Sequence, residues 1–148
     1  MEIFGLNRPD DSGVTQVWER LFIGDLSDAE RIAQSNPQHI TTVVTLCEDA
    51  VTSRARRVNY LHFPVADSRA MPVARLDAIL DAIGENIRWG RVLLHCGAGV
   101  SRAPIMTAAW MDACGYKNLE AALEELAGLR PIIDPSPTLL KSVKEHLR

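Results

Sequence analysis

The stretch His95-Cys96-Gly97-Ala98-Gly99-Val100-Ser101-Arg102-Ala103 decides how the rest of the chain is read. Arg91-Val92-Leu93-Leu94 precedes it, short and apolar, as a buried strand would be. Ala103-Pro104-Ile105-Met106-Thr107-Ala108-Ala109-Trp110 follows it, rich in helix formers. The stretch therefore reads as strand, glycine-rich turn and helix N-terminus. Such a turn aims backbone N–H groups and the positive end of a helix dipole at one point, which makes a site for an anion. Cys96 opens the turn and Arg102 closes it. A thiol beside a helix N-terminus and a guanidinium is expected to exist largely as thiolate. The guanidinium can grip two oxygens of a phosphate through paired hydrogen bonds.

Outward from this turn, strands and helices alternate. Val14–Trp18 suits a short strand, Glu19-Arg20 a turn, and Leu21-Phe22-Ile23 a returning strand that ends at Gly24-Asp25. Ser27 with Glu30 fits a capping box, which predicts a short helix through Ala33. Ile40–Leu46 is rich in β-branched residues and reads as a strand, with Cys47 at its carboxyl end. Val58–Phe63 is the next strand, and Pro64–Pro72 a loop, with Pro72 able to sit in the first turn of the following helix. Leu76, Ile79, Leu80, Ile83 and Ile87 mark one face of that helix, which closes at Trp89-Gly90. A helix over Ala103–Cys114 stops at Gly115, Asn118 caps the next, and Ser136-Pro137 starts the last. This order predicts an α/β fold: a central, mostly parallel sheet of about five strands with helices on both faces. The ligand site then lies outside the carboxyl ends of the central strands, where Cys47, Asp67 and Cys96 converge.

At 148 residues the chain fits a single domain, 1–148, with 1–13 as a loose or lightly docked N-terminal segment. A net charge of −3 gives no reason to expect nucleic acid or an anionic membrane surface as the main partner. No long apolar run offers a membrane span. Three cysteines without zinc-like spacing suit a reducing cytoplasm, and a monomer is expected.

His95-Cys96-x-x-Gly99-x-x-Arg102 resembles the signature of the cysteine-dependent protein tyrosine phosphatases, and the full string HCGAGVSRA is most similar to their small dual-specificity branch. The opening strand-turn-strand, Leu21-Phe22-Ile23-Gly24, resembles the same fold, so the likeness runs from about Val14 to the last helix. The resemblance implies a metal-independent phosphatase, without cofactor, that acts on phosphotyrosine and also on phosphoserine or phosphothreonine in a protein or peptide. Cys96 would attack phosphorus and form a phosphocysteine. Arg102 and the backbone of Gly97, Ala98, Gly99, Val100, Ser101 and Arg102 would bind the phosphate, the glycines supplying unusual φ values and freedom from side-chain bulk. Asp67, in a loop after a strand, is the candidate general acid, because the family carries its acid on a mobile loop that faces the cysteine. Asp25 and Asp49 are weaker rivals. His95 would support the loop through hydrogen bonds, and Ser101 would bond within it. Arg130-Pro131-Ile132-Ile133-Asp134-Pro135-Ser136 resembles the family's closing segment, with Ser136 where asparagine is usual, and would brace the loop.

One position departs from the pattern. Ala103 stands where the family usually has a Ser or Thr whose hydroxyl bonds the cysteine sulfur when the phosphoenzyme breaks down. Slower phosphoenzyme hydrolysis is the expected consequence. Cys47 and Cys114 read as small buried residues, with a resolving thiol as the second reading for Cys47. Arg69 and the Arg54, Arg56, Arg57 cluster read as solvated charge. Two alternatives stand beside the protein phosphatase. One is a phosphate-binding module without turnover. The other is the same chemistry on a phosphoinositide or an RNA 5′-phosphate, which the acidic chain and the lack of lysine in the turn disfavour.

Overall fold

The computed structural model describes residues 13–148, so the expected loose segment lies, except for Gly13, outside the described residues. Five strands form one sheet: β1 (Thr15–Trp18), β2 (Leu21–Gly24), β3 (Thr42–Thr45), β4 (Asn59–His62) and β5 (Val92–His95). Their spatial order is β1-β2-β5-β3-β4. The β1–β2 hairpin is antiparallel, and every other pair is parallel. The mostly parallel α/β sheet is therefore as the sequence predicts.

Each buried strand carries apolar residues on both faces, as a sheet covered on both sides requires. Leu21, Ile23, Val44, Val92 and Leu94 point into the larger core, whereas Phe22, Val43 and Leu93 point into the smaller one. The larger core is roofed by four helices: α2 (Val73–Ile87), α3 (Arg102–Ala113), α4 (Leu119–Leu129) and α5 (Pro137–His146). Leu76, Ile79, Ile83 and Ile87 of α2 are buried there as the helical spacing predicts, each worth about 1.5–3 kcal/mol if fully removed from water. The short helix α1 (Leu26–Arg31) covers the opposite face through Ala29, with Ile32 just beyond its end.

Local chemistry moves some boundaries. The box at the start of α1 is Asp25/Asp28, not Ser27/Glu30: the Asp25 side chain accepts from the Asp28 N–H, and Asp28 accepts from the Asp25 N–H, both at 2.8 Å. Strand β2 runs directly into the helix at Gly24, so the cap falls two residues earlier than Ser27. The Ser27 hydroxyl instead donates to Asp25. Glu30 instead accepts the Thr52 and Ser53 N–H groups and pins the following loop. Helix α1 ends at Arg31, short of Ala33. Pro72 is the extended N-cap of α2 and precedes its first turn. Asn118 and Ser136 cap α4 and α5 as expected.

Parallel register places Gly24, His95, Thr45 and His62 in one row at the sheet's carboxyl edge. The segments that leave this row bring Asp25, Cys96, Cys47 and Asp67 to the same side. Strand β5 is central, flanked by β2 and β3, so the turn at Cys96 opens over the middle of that edge.

Candidate active site

The Cys96–Arg102 turn is shaped by what its carbonyls bond. The Gly97 carbonyl accepts from the Leu26 N–H at the start of α1 (3.2 Å), and the Val100 carbonyl accepts from the Asp134 N–H (2.7 Å). The Gly99 carbonyl accepts from the Arg130 guanidinium (2.9 Å). The Ser101 carbonyl accepts the first intrahelical bond of α3, from the Ile105 N–H. With these oxygens held outward, none of the N–H groups of Gly97–Ser101 donates to another backbone group among the described residues. A curl of free N–H groups at the start of a twelve-residue helix is a cradle for an anion.

Gly99 is required here by geometry. Its φ is +71°, and a Cβ would lie 2.5 Å from Arg130 Nη2 and 2.8 Å from the Gly24 carbonyl oxygen. Gly97 differs from the expectation, because it does not adopt positive φ. A Cβ there would stand 3.5 Å from Arg102 Nη2, an ordinary contact distance, so this position does not require glycine as Gly99 does.

Arg130 is the strut that holds the turn, and it is only 4% exposed. Besides Gly99 it donates to the Gly13 carbonyl (2.7 Å) and to Thr15 Oγ1 (2.9 Å), tying the turn to the start of β1. The closing segment thus braces the turn as expected, and Arg130 is its principal element. Replacing Arg130 with Met strands three acceptors, two of them backbone carbonyls. We expect a loss of about 3 kcal/mol in unfolding free energy, measurable as a lowered denaturation midpoint.

His95 is fully buried. A carbonyl can only accept, so the contact of Nδ1 with the Cys96 carbonyl (3.3 Å) places the ring proton on Nδ1. Nε2 then accepts from the Thr45 hydroxyl at 2.8 Å. Burial pushes the imidazole below its ordinary value, against the pull of that carbonyl bond, and keeps it neutral at pH 7. His95 thus holds the Cys96 carbonyl in place, a supporting role. Thr45 was missed from sequence; its register opposite His95 becomes visible only once β3 and β5 are paired.

Cys96, which opens the turn, is 2% exposed. Arg102 spends one of its five N–H groups on the Val65 carbonyl (3.2 Å) at the start of the 64–72 loop. Asp67 sits farther along that loop, half-buried, and reaches the turn: Ser101 Oγ donates to Asp67 Oδ1 at 2.7 Å. Ser101 therefore does not bond within its own loop, as its sequence position suggested, but outward to Asp67 in the 64–72 loop and to Ser136. The loop itself is pinned. The Val65 N–H donates to the Leu46 carbonyl, Arg75 donates to the Pro64 carbonyl, and the Met71 N–H donates to Ser142 Oγ.

The rivals of Asp67 are otherwise employed. Asp25 caps α1; burial opposes its charge, but hydrogen bonds from the Asp28 N–H and the Ser27 hydroxyl hold its carboxyl below the ordinary value. Asp49 lies exposed on the loop after β3. Cys47 is buried next to the site, and burial pushes its thiol up although Arg102 pulls it down. Cys114 is exposed, contrary to the expectation, because α3 ends at Ala113 and the chain turns outward through Gly115 at φ +84°. Arg54, Arg56, Arg57 and Arg69 are exposed. An open groove of about 660 Å³ leads from Gly97 along α1, between Ser27, Glu30, Arg31 and Ser53.

Residues 21–148 match the family model "Dual specificity phosphatase, catalytic domain". The chain is 31% identical over 134 residues to dual specificity protein phosphatase 18 of Rattus norvegicus, covering 87% of this chain and 64% of that protein. The Homo sapiens protein of the same name is also 31% identical, with 70% of its length covered. The chain thus spans about two thirds of these relatives. The crystal structure of DUSP15 superposes with a TM-score of 0.81 at 25% identity, covering 90% of this chain and 86% of that one.

Proposed function

The chain belongs to the dual specificity phosphatase catalytic-domain family, and we propose that it is a metal-independent protein phosphatase working through a phosphocysteine intermediate. The observation that carries the reading is the turn whose N–H groups from Gly97 to Ser101 donate to no other backbone group, while the carbonyls of Gly97, Gly99 and Val100 are tied to neighbouring segments, next to a buried cysteine. In the first step the Cys96 thiolate attacks phosphorus in line. The bond from phosphorus to the leaving oxygen breaks, and Asp67 gives that oxygen its proton. The free N–H groups and the Arg102 fork hold the three equatorial oxygens as charge develops on them. In the second step Asp67 takes a proton from water, which attacks phosphorus. The S–P bond breaks, inorganic phosphate leaves and the thiolate is restored.

The substrate class proposed is a phosphorylated protein or peptide, phosphotyrosine first and phosphoserine or phosphothreonine also. The family match supports this, because the similar proteins are named dual specificity protein phosphatases. A nucleophilic thiol has to stay reduced, so the reading includes a reducing compartment such as the cytoplasm.

The test is hydrolysis of a small aryl phosphate, then of phosphotyrosine and phosphothreonine peptides, with chelator present throughout. Turnover that persists in chelator and falls about 100-fold or more in Asp67→Asn supports the reading. Phosphate binding without any turnover contradicts it.

Ala103 adds a kinetic expectation. It is fully buried in the first turn of α3, at the position where the family pattern usually carries a hydroxyl that bonds the cysteine sulfur. Loss of one such bond costs about 1–3 kcal/mol when the thiolate leaves phosphorus. Rapid mixing with an aryl phosphate should give a burst of phenol followed by slower turnover. Ala103→Ser should raise the steady rate about 10-fold and shrink the burst.

A further inference from the structure

Asp67 reaches the phosphate turn through a single side chain, Ser101, and the two hydrogen bonds at that hydroxyl have fixed directions. The Ser136 N–H lies 2.8 Å from Ser101 Oγ and can only donate, so it occupies a lone pair on the oxygen. The hydroxyl has one proton, and it is directed at Asp67 Oδ1, 2.7 Å away. Ser101 is 5% exposed, so water does not compete freely for that proton. Ser136 is itself fixed as the N-cap of α5, which starts with Pro137. A rigid helix start thus orients a hydroxyl, and the hydroxyl orients a carboxyl from a loop 34 positions earlier in the chain.

We propose that Ser101 is the positioning residue for the general acid: it holds Oδ1 of Asp67 as an acceptor and leaves Oδ2 as the oxygen that carries the proton to and from the substrate. The inference rests on the reading of Asp67 as that acid. Its chemistry suits both halves of the reaction. A carboxylic acid protonated on Oδ2 still presents a carbonyl oxygen at Oδ1, and an ionised carboxylate presents the same atom. The Ser101 bond therefore survives each proton transfer, and Asp67 does not have to be repositioned between the two steps. The Ser101 N–H also belongs to the phosphate cradle. One residue then sets the distance between the bound phosphoryl group and the acid that serves it.

The experiment compares kcat/KM, which reports the steps up to phosphoenzyme formation, for phenyl phosphate and 2,4-dinitrophenyl phosphate. The first has a poor leaving group that needs the acid; the second leaves with little help. Ser101→Ala should lose about 10- to 30-fold on phenyl phosphate but less than about 3-fold on the dinitrophenyl ester. Its affinity for inorganic phosphate should stay within about 2-fold of wild type, which also shows that the variant folds. Ser101→Thr, which keeps the hydroxyl, should recover most of the phenyl phosphate activity. In an Asp67→Asn background, Ser101→Ala should add less than about 2-fold, because both changes remove one function. Equal losses on the two esters with weakened phosphate binding would overturn the proposal in favour of a cradle role alone. Full phenyl phosphate activity in Ser101→Ala would overturn it as well. If Asp67→Asn itself shows no dependence on the leaving group, the assignment of the acid is wrong and the proposal falls with it, a result distinct from failure at Ser101.

Discussion

Cys96→Ser is expected to abolish turnover, with a loss of about four orders of magnitude or more in kcat on any aryl phosphate. Cys96 is buried in the turn whose backbone N–H groups are free, and its replacement by serine roughly keeps the size but removes an ionisable nucleophile. Ser101 has its one proton committed to Asp67, and Cys47 is kept protonated by burial. The cradle itself does not depend on sulfur, because the Leu26, Arg130 and Asp134 donors that shape it bond backbone carbonyls. Inorganic phosphate should therefore bind Cys96→Ser within about 10-fold of wild type. The two results together, measured by a phenol-release assay and by titration calorimetry, separate the nucleophile from the anion site.

Arg102→Lys should cost about 1000-fold in kcat/KM, equivalent to about 4 kcal/mol of transition-state stabilisation. The change keeps the positive charge, so a purely Coulombic role predicts a small effect. The guanidinium does two things a lysine cannot do at once. It donates one N–H to the Val65 carbonyl and still has a planar fork for two phosphate oxygens. A lysine at this site has to choose between the loop and the anion. The variant should also release the 64–72 loop, seen as faster amide exchange at Val65–Asp67, while the sheet exchanges as before. A loss below about 10-fold would mean that charge alone is what the site uses.

The turn at Cys96 was legible because three levels agree over a few residues: a buried apolar strand, a glycine at the position with φ +71°, and helix formers after Arg102. The parallel sheet was legible for the same reason, in the β-branched and apolar runs at Val43-Val44 and Val92-Leu93-Leu94. Two kinds of fact were not. Caps depend on where the preceding strand stops, and Ser27-x-x-Glu30 matches the capping pattern as well as Asp25-x-x-Asp28 does. Only the end of β2 at Gly24 chooses between them. Contacts across the fold leave no local trace at all. The pairing of Thr45 with His95, of Ser101 with Asp67 and of Arg130 with Gly99 joins residues far apart in the chain, and each exists only after the strands have set their register. The sequence marked Asp67 and Ser101 separately, and the fold joins them.

The central claim is that phosphorus passes through sulfur, and trapping that intermediate tests it most directly. Wild-type enzyme is mixed with excess aryl phosphate in chelator, quenched with acid during the burst, digested and analysed by mass spectrometry. The account predicts one added phosphoryl group on the peptide that contains Cys96, chased away on longer incubation and absent from Cys96→Ser. Steady turnover with no phosphorylated Cys96 at any quench time, or a phosphoryl group on another residue, would contradict it.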